Sequence, residues 1–173
     1  MILKSVGAVL VIAAGTMAGF SKSREYRRHI KEIETLKTLF CMMRGEIIYS
    51  RIPLSEICAR LASSAENPYS DWLCHLETEL EERGERMLSE IWRTTAEESL
   101  KGTVLTKSEK EELYGLGTQI GRTDAMTQAN ILEMYTLRLE EYRKSYAEAI
   151  GEKIKICNCL GIASGIVIAI LLI

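Results

Sequence analysis

Residues 125–173 read AMTQANILEMYTLRLEEYRKSYAEAIGEKIKICNCLGIASGIVIAILLI, and this stretch decides the fold. Leu132, Tyr135, Leu139, Tyr142, Tyr146 and Ala149 alternate steps of three and four, the seam of a helix that packs along one face. Only Gly151 interrupts the helical pattern before residues 156–173, which carry no charge at all. Near-continuous helix of about 50 residues would be roughly 75 Å long at the usual rise. A stripe of that length has to pack on something.

Its partner stands at the other end of the chain. Residues 5–21 are also free of charge, and beyond them Ile30, Ile33, Leu36, Phe40, Met43 and Ile47 recur at helical spacing. The pattern predicts an all-α fold: an antiparallel hairpin of two long helices, with several short helices packed at its distal end as a small bundle. Nothing reads as a set of strands. Three regions follow: an N-terminal transmembrane helix over 1–21, a helical domain over 22–155, and a C-terminal transmembrane helix over 156–173.

The membrane reading rests on segregation that the average composition hides, since 47% of residues are hydrophobic and 27% charged, as in an ordinary soluble protein. All 24 acidic residues lie between the two apolar ends, as do all the basic ones except Lys4. A helix crosses the hydrocarbon core with roughly 17–25 residues, and Lys4 can lengthen the first span by snorkelling. A cleaved signal peptide is the other reading of the first run. Against it, Lys22, Arg24, Arg27 and Arg28 follow directly, and dense positive charge resists translocation. Over residues 22–44 seven basic side chains face three acidic ones, and Arg143, Lys144, Lys153 and Lys155 precede the second span. The positive-inside rule then puts residues 22–155 in the cytoplasm and both termini outside. Each span carries two glycines four residues apart, Gly15 with Gly19 and Gly161 with Gly165, a spacing that lets helix backbones approach closely in lipid.

Between the long helices, Pro53 predicts that the first helix stops near Ser50 and suits the first turn of the next. Leu54, Ile57, Cys58 and Leu61 form a short amphipathic helix, with Asn67-Pro68 as the turn after it. Trp72, Leu73, Leu76 and Leu80 mark a third helix, broken near Gly84. Leu88, Ile91, Trp92 and Thr95 mark a fourth, expected to end on Lys101 and a C-terminal Gly102. Thr106-Lys-Ser-Glu109 reads as a capping box opening a fifth helix that stops at Gly121, and Thr123 or Asp124 caps the last.

Catalytic signatures are sparse. Gly115, Gly117 and Gly121 resemble a dinucleotide fingerprint with a spacing one residue too long and no preceding strand, so they read as glycines permitting a tight helix–helix turn. There is no phosphate-loop motif. The two histidines, His29 and His75, have no further ligands at metal spacing, and His29 is expected to be solvated or lipid-facing among its cations. Five cysteines (Cys41, Cys58, Cys74, Cys157 and Cys159) form no Cys-x-x-Cys pair and read as free thiols. No enzyme, cofactor or metal is expected. A slight acidic excess over residues 22–155, 24 acidic against 21 basic, argues against nucleic acid. Residues 77–98 hold eight glutamates against three arginines. Glu77, Glu79, Glu81, Glu82 and Glu85 are either a solvated helix face or the surface for a basic protein partner.

The final third carries a more specific pattern. Leu116, Gly117, Gly121, Thr123, Asp124 and Gln128 precede the long helix, which leads through Lys155 to Leu160-Gly161-Ile-Ala-Ser-Gly165 and a bare apolar tail. The first half adds Gly-Ala-Val-Leu at residues 7–10, Ala18-Gly19-Phe20, Glu46-Ile47-Ile48-Tyr49 and Pro53-Leu54. Over nearly its full length the chain resembles the stage III sporulation protein AB family of endospore-forming bacteria, whereas residues 63–105 are generic. That family is similar in its helical domain to the F-type platform proteins of type II secretion and type IV pilus machines. The resemblance implies an integral protein of the mother-cell membrane around the forespore, working with other membrane components of a transenvelope channel. Its cytoplasmic domain would dock the system's secretion-type ATPase, sporulation protein AA. Platform relatives usually carry two copies of the helical domain and more spans, so the single copy here is a departure.

The expectation is thus a membrane-anchored, non-catalytic adaptor for that ATPase, in contact with the lipid bilayer. The alternative is a structural organiser that forms homo-oligomers through its spans without touching the ATPase. A membrane enzyme using Cys58 or Cys74 is the remaining reading.

Overall fold

A computed structural model describes the backbone of residues 2–82, 84–121 and 124–172, and the side chains of residues 25–82, 84–121 and 124–148. Six helices follow one another with no strand among the described residues: α1 (Ile2–Tyr49), α2 (Leu54–Ala62), α3 (Tyr69–Glu81), α4 (Leu88–Ser99), α5 (Lys107–Ile120) and α6 (Ala125–Leu172). The two long helices expected from the heptad stripes are present without a break, α6 running through Gly151. Among residues with described side chains no helix is long and apolar enough to cross a membrane. The charge-free stretches 5–21 and 156–173, with Gly15, Gly19, Gly161 and Gly165, lie outside those residues.

The chain divides into two compact units, residues 1–30 with 142–173, and residues 31–141. In the first, His29 is buried, its ring 4.3 Å from that of Tyr146 in an edge-on arrangement. This corrects the expectation that His29 would be solvated. The heptad stripe puts Tyr146 on the inner face of α6, and an imidazole edge against a phenol face packs as well as a hydrocarbon.

The second unit holds the core. From α1 come Ile33, Leu36, Phe40, Met43 and Ile47, and from α6 Ala129, Leu132, Tyr135 and Leu139, all buried. The two helices run antiparallel: the rings of Phe40 and Tyr135 lie 5.2 Å apart, Lys37 pairs with Glu140 at 2.8 Å and Arg44 with Glu133 at 2.9 Å. Around Phe40 the remaining aromatics close in, Trp72 and Trp92 each at 6.3 Å and 5.1 Å from one another. Aromatic pairs at such distances add about 0.5–1.5 kcal/mol each beyond the area they bury. Helices α2–α5 therefore flank the hairpin along its side, packing in sequence α2 on α3, α3 on α4 and α4 on α5. The middle of the sequence, generic by pattern, supplies both tryptophans at the centre of the core.

The helix ends follow from local chemistry. Thr106 forms the expected capping box with Glu109, each side chain accepting from the other's backbone amide. At the end of α1 the chain reverses through Arg51 at φ +52°, a left-handed conformation usually left to glycine, before Pro53 opens α2. Of the described glycines only Gly84 is left-handed, at φ +55°. Gly102 is not, and α4 ends at Ser99, one turn before the expected glycine cap. The loop after it is tied down instead by Glu32, whose carboxylate accepts the Val104 amide at 2.9 Å. The Asn67–Pro68 peptide in the α2–α3 connection is cis.

Candidate functional site

The residues that carried the family resemblance are mainly structural. Leu116 is buried, and a Cβ on Gly117 would lie 2.5 Å from Cβ of Trp92. One turn later, a Cβ on Gly121 would lie 3.2 Å from Cβ of Leu88. The missing side chains at Gly117 and Gly121 thus let α5 sit directly on α4. That approach allows the Trp92 indole to donate to the Leu113 carbonyl at 2.8 Å. Gly115, by contrast, faces open space. The glycines Gly117 and Gly121 serve helix packing along α4 rather than a tight turn.

The turn into α6 is equally self-contained. Asp124 accepts from the Met126 and Thr127 amides at 3.0 and 3.1 Å and from the Thr127 hydroxyl at 2.8 Å, capping the helix as expected. The Thr127 hydroxyl and amide, with the Met126 amide, hold its carboxyl below the usual carboxylate range. Gln128 donates from Nε2 to the Ile120 carbonyl at 2.9 Å, closing α5 onto α6. Thr123 lies outside the described residues.

Of the acidic candidates, Glu81, Glu82 and Glu85 are exposed, whereas Glu77 and Glu79 are half-buried. Glu79 is engaged by Arg86 across the α3–α4 turn. Because Gly121 abuts Leu88, the α3–α4 loop and the α5–α6 turn are neighbours at one end of the unit. That end also exposes two large apolar side chains, Met87 and Met126. Sequence reasoning missed both. A signal was available for Met126, which lies off the heptad stripe of Leu132, Tyr135 and Leu139 and so could not be core. Met87 and Met126 thus stand exposed at the same end as Glu81, Glu82, Glu85 and Asp124.

Cys58 is buried, and desolvation, helped by the charge of Glu77, pushes its thiol up to about 12, so it is protonated and unreactive at neutral pH. Cys41 and Cys74 are exposed. Among the described residues no group of three His, Cys, Asp or Glu side chains is placed to hold a metal ion.

Comparison with known proteins agrees with this architecture. A curated relative, stage III sporulation protein AB of Bacillus subtilis (strain 168), is 25% identical over 170 residues, covering 98% of this chain and 99% of that one. A solved structure of stage III sporulation protein AB superposes with a TM-score of 0.64 at 21% identity, over 72% of this chain and 97% of that one, and so shares the fold. The family described as stage III sporulation protein AB matches residues 4–173, and the chain accordingly belongs to this family of sporulation proteins.

Proposed function

We propose that the chain is a membrane-anchored, non-catalytic adaptor that docks the secretion-type ATPase of the sporulation channel, sporulation protein AA. Residues 5–21 and 156–173 would hold it in the mother-cell membrane around the forespore, with residues 22–155 in the cytoplasm. The support for anchoring is the absence of charge from both stretches and the cations that flank them on the inner side. One observation carries the docking reading: Met87 and Met126 stand exposed at the same end of the helical unit as Glu81, Glu82, Glu85 and Asp124. Two long apolar side chains beside exposed carboxylates offer a partner both apolar and charged contacts at this end. Apolar anchors would supply affinity there, and the carboxylates would steer a basic partner and fix its register.

The test is calorimetry of the full chain in detergent with the purified ATPase at two salt concentrations. Binding that weakens with salt is expected, and it should weaken further in the Glu81→Lys, Glu82→Lys, Glu85→Lys triple variant with an unchanged melting temperature. Binding insensitive to both salt and charge reversal would overturn docking at this end.

A further inference from the structure

The helical unit of residues 31–141 is entered by the chain at Lys31, and two of its loops lie at that same end. Lys31 pairs with Glu66 of the α2–α3 loop at 3.0 Å, and Glu32 accepts the Val104 amide of the α4–α5 loop at 2.9 Å. The α4–α5 loop is held firmly in place. Leu100, Thr103 and Leu105 are buried, and the Lys110 ammonium donates to the Lys101 and Thr103 carbonyls at 3.2 and 3.3 Å. What the loop presents outward is Lys101, Gly102 and Lys107, all exposed. Residues 99–108 contain these two lysines and no acidic residue. Among the described residues no ion pair engages either ammonium, whereas Lys31 has Glu66 and Lys37 has Glu140. Of the carboxylates next in sequence, Glu109 is buried in the capping box and Glu111 is taken by Arg93 at 3.0 Å, while Glu98 is exposed in the last turn of α4. The far end of the unit carries the opposite sign, with Glu81, Glu82, Glu85 and Asp124 exposed.

We propose that the α4–α5 loop is a second membrane contact, in which Lys101 and Lys107 meet anionic phospholipid headgroups. The inference rests on the anchoring proposed above and adds to it a surface from the middle of the sequence. Continuity of the chain selects the occupant. An acidic protein would satisfy the same charges, but a membrane is what residues 5–21 and 156–173 would bring to the end of the unit that carries Lys31. Eleven residues separate Glu32 from residue 21, about 16 Å of helical rise. The headgroup layer takes up about 5–7 Å of that. The remainder is about one Debye length at physiological ionic strength, before any reach of the lysine side chains is added. Sign agrees as well, because the cytoplasmic leaflet is negative and attracts lysine within that distance. Since the loop is already fixed by Glu32 and Lys110, its lysines lose no backbone freedom on meeting the surface.

The test uses the full chain, its five cysteines replaced by alanine, reconstituted in phosphatidylcholine–phosphatidylglycerol vesicles. A nitrobenzoxadiazole label is placed at Gly102→Cys, where an added Cβ meets nothing within 4 Å, or at Glu85→Cys on the far end as control. Quenching by a lipid with a nitroxide on its headgroup reports contact, and flotation of the protein with the vesicles checks the anchoring separately. Quenching is expected at position 102 and not at position 85. Each lysine near an anionic surface shifts the contact equilibrium about fivefold. Lys101→Glu combined with Lys107→Glu should therefore bring quenching at 102 down to the control, with helicity unchanged, and so should high salt or vesicles of phosphatidylcholine alone. In floating vesicles, quenching at 102 no greater than at 85 overturns the proposal. So does quenching at 102 that survives charge reversal, salt and neutral lipid, which would mean proximity without recognition of charge. Failure to float would overturn the anchoring, and this contact with it.

Discussion

Replacing Gly117 by alanine should unfold the helical unit more easily, although alanine is the better helix former by about 1 kcal/mol. The new methyl would stand 2.5 Å from Cβ and 2.6 Å from Cγ of Trp92. Carbon atoms rest at about 3.5–4.0 Å, so α5 has to retreat from α4 by roughly 1 Å. That retreat breaks the bond from the Trp92 indole to the Leu113 carbonyl, now 2.8 Å, and leaves the buried indole N–H unpaired, while the carbonyl keeps its partner within α5. Overpacking costs about 1–3 kcal/mol and an orphaned buried donor a similar amount. The two are partly alternatives, because moving apart relieves the overlap while it breaks the bond. Set against the gain in helix propensity, the net loss is about 2–3 kcal/mol, a fall in Tm of about 8–12 °C for a unit of this size. Tryptophan fluorescence of the full chain in detergent is a suitable assay, since both tryptophans, Trp72 and Trp92, are buried in residues 31–141. Gly115→Ala is the control: it lies in the same helix with open space around it, and should stabilise by about 0.5–1 kcal/mol. If Gly117→Ala melts within about 2 °C of the parent, or shifts in the same direction as Gly115→Ala, the close approach of α4 and α5 is not what fixes this position.

The Asp124 cap gives a pH signature. Its carboxyl is held below the ordinary aspartate range, so the cap contributes fully above that range and is lost as pH falls through the depressed value. Asp124→Asn, which keeps an acceptor oxygen but not the charge, should melt below the parent at neutral pH, the difference starting to shrink near about pH 4 and closing as pH falls through the depressed value; a constant difference across that range would refute the cap's electrostatic share. Thiol reactivity should separate the cysteines. Maleimide at pH 8 is expected to modify Cys41 and Cys74 in the folded chain and Cys58 only after denaturation, read by peptide mass spectrometry, because Cys58 is buried and its thiol raised to about 12. Equal labelling of Cys58 would mean that α2 opens readily.

Local rules made much of this fold legible. The period of the apolar residues fixed the two long helices, because an isolated stripe at steps of three and four can only be buried by a neighbour running alongside. Pro53, the Thr106 capping box and Asp124 announced helix ends, since each acts on amides within four residues of itself. What depended on distant residues stayed hidden. Nothing in the local pattern tells that Gly117 lies under Trp92 while Gly115 faces open space, because that depends on the angle between α4 and α5. His29 read as solvated among cations until Tyr146, more than a hundred residues away, covered it. Arg51 takes a left-handed turn that no residue preference foretells, imposed by the need to bring α2 back along α1. By itself, then, the sequence determined the helices, several of their ends and the family, all set by short-range chemistry and periodicity. The tertiary structure alone decided which glycines are contacts, which aromatics make the core, and which Met, Tyr and Leu side chains remain in water, because burial is a property of the assembled surface and not of any one segment.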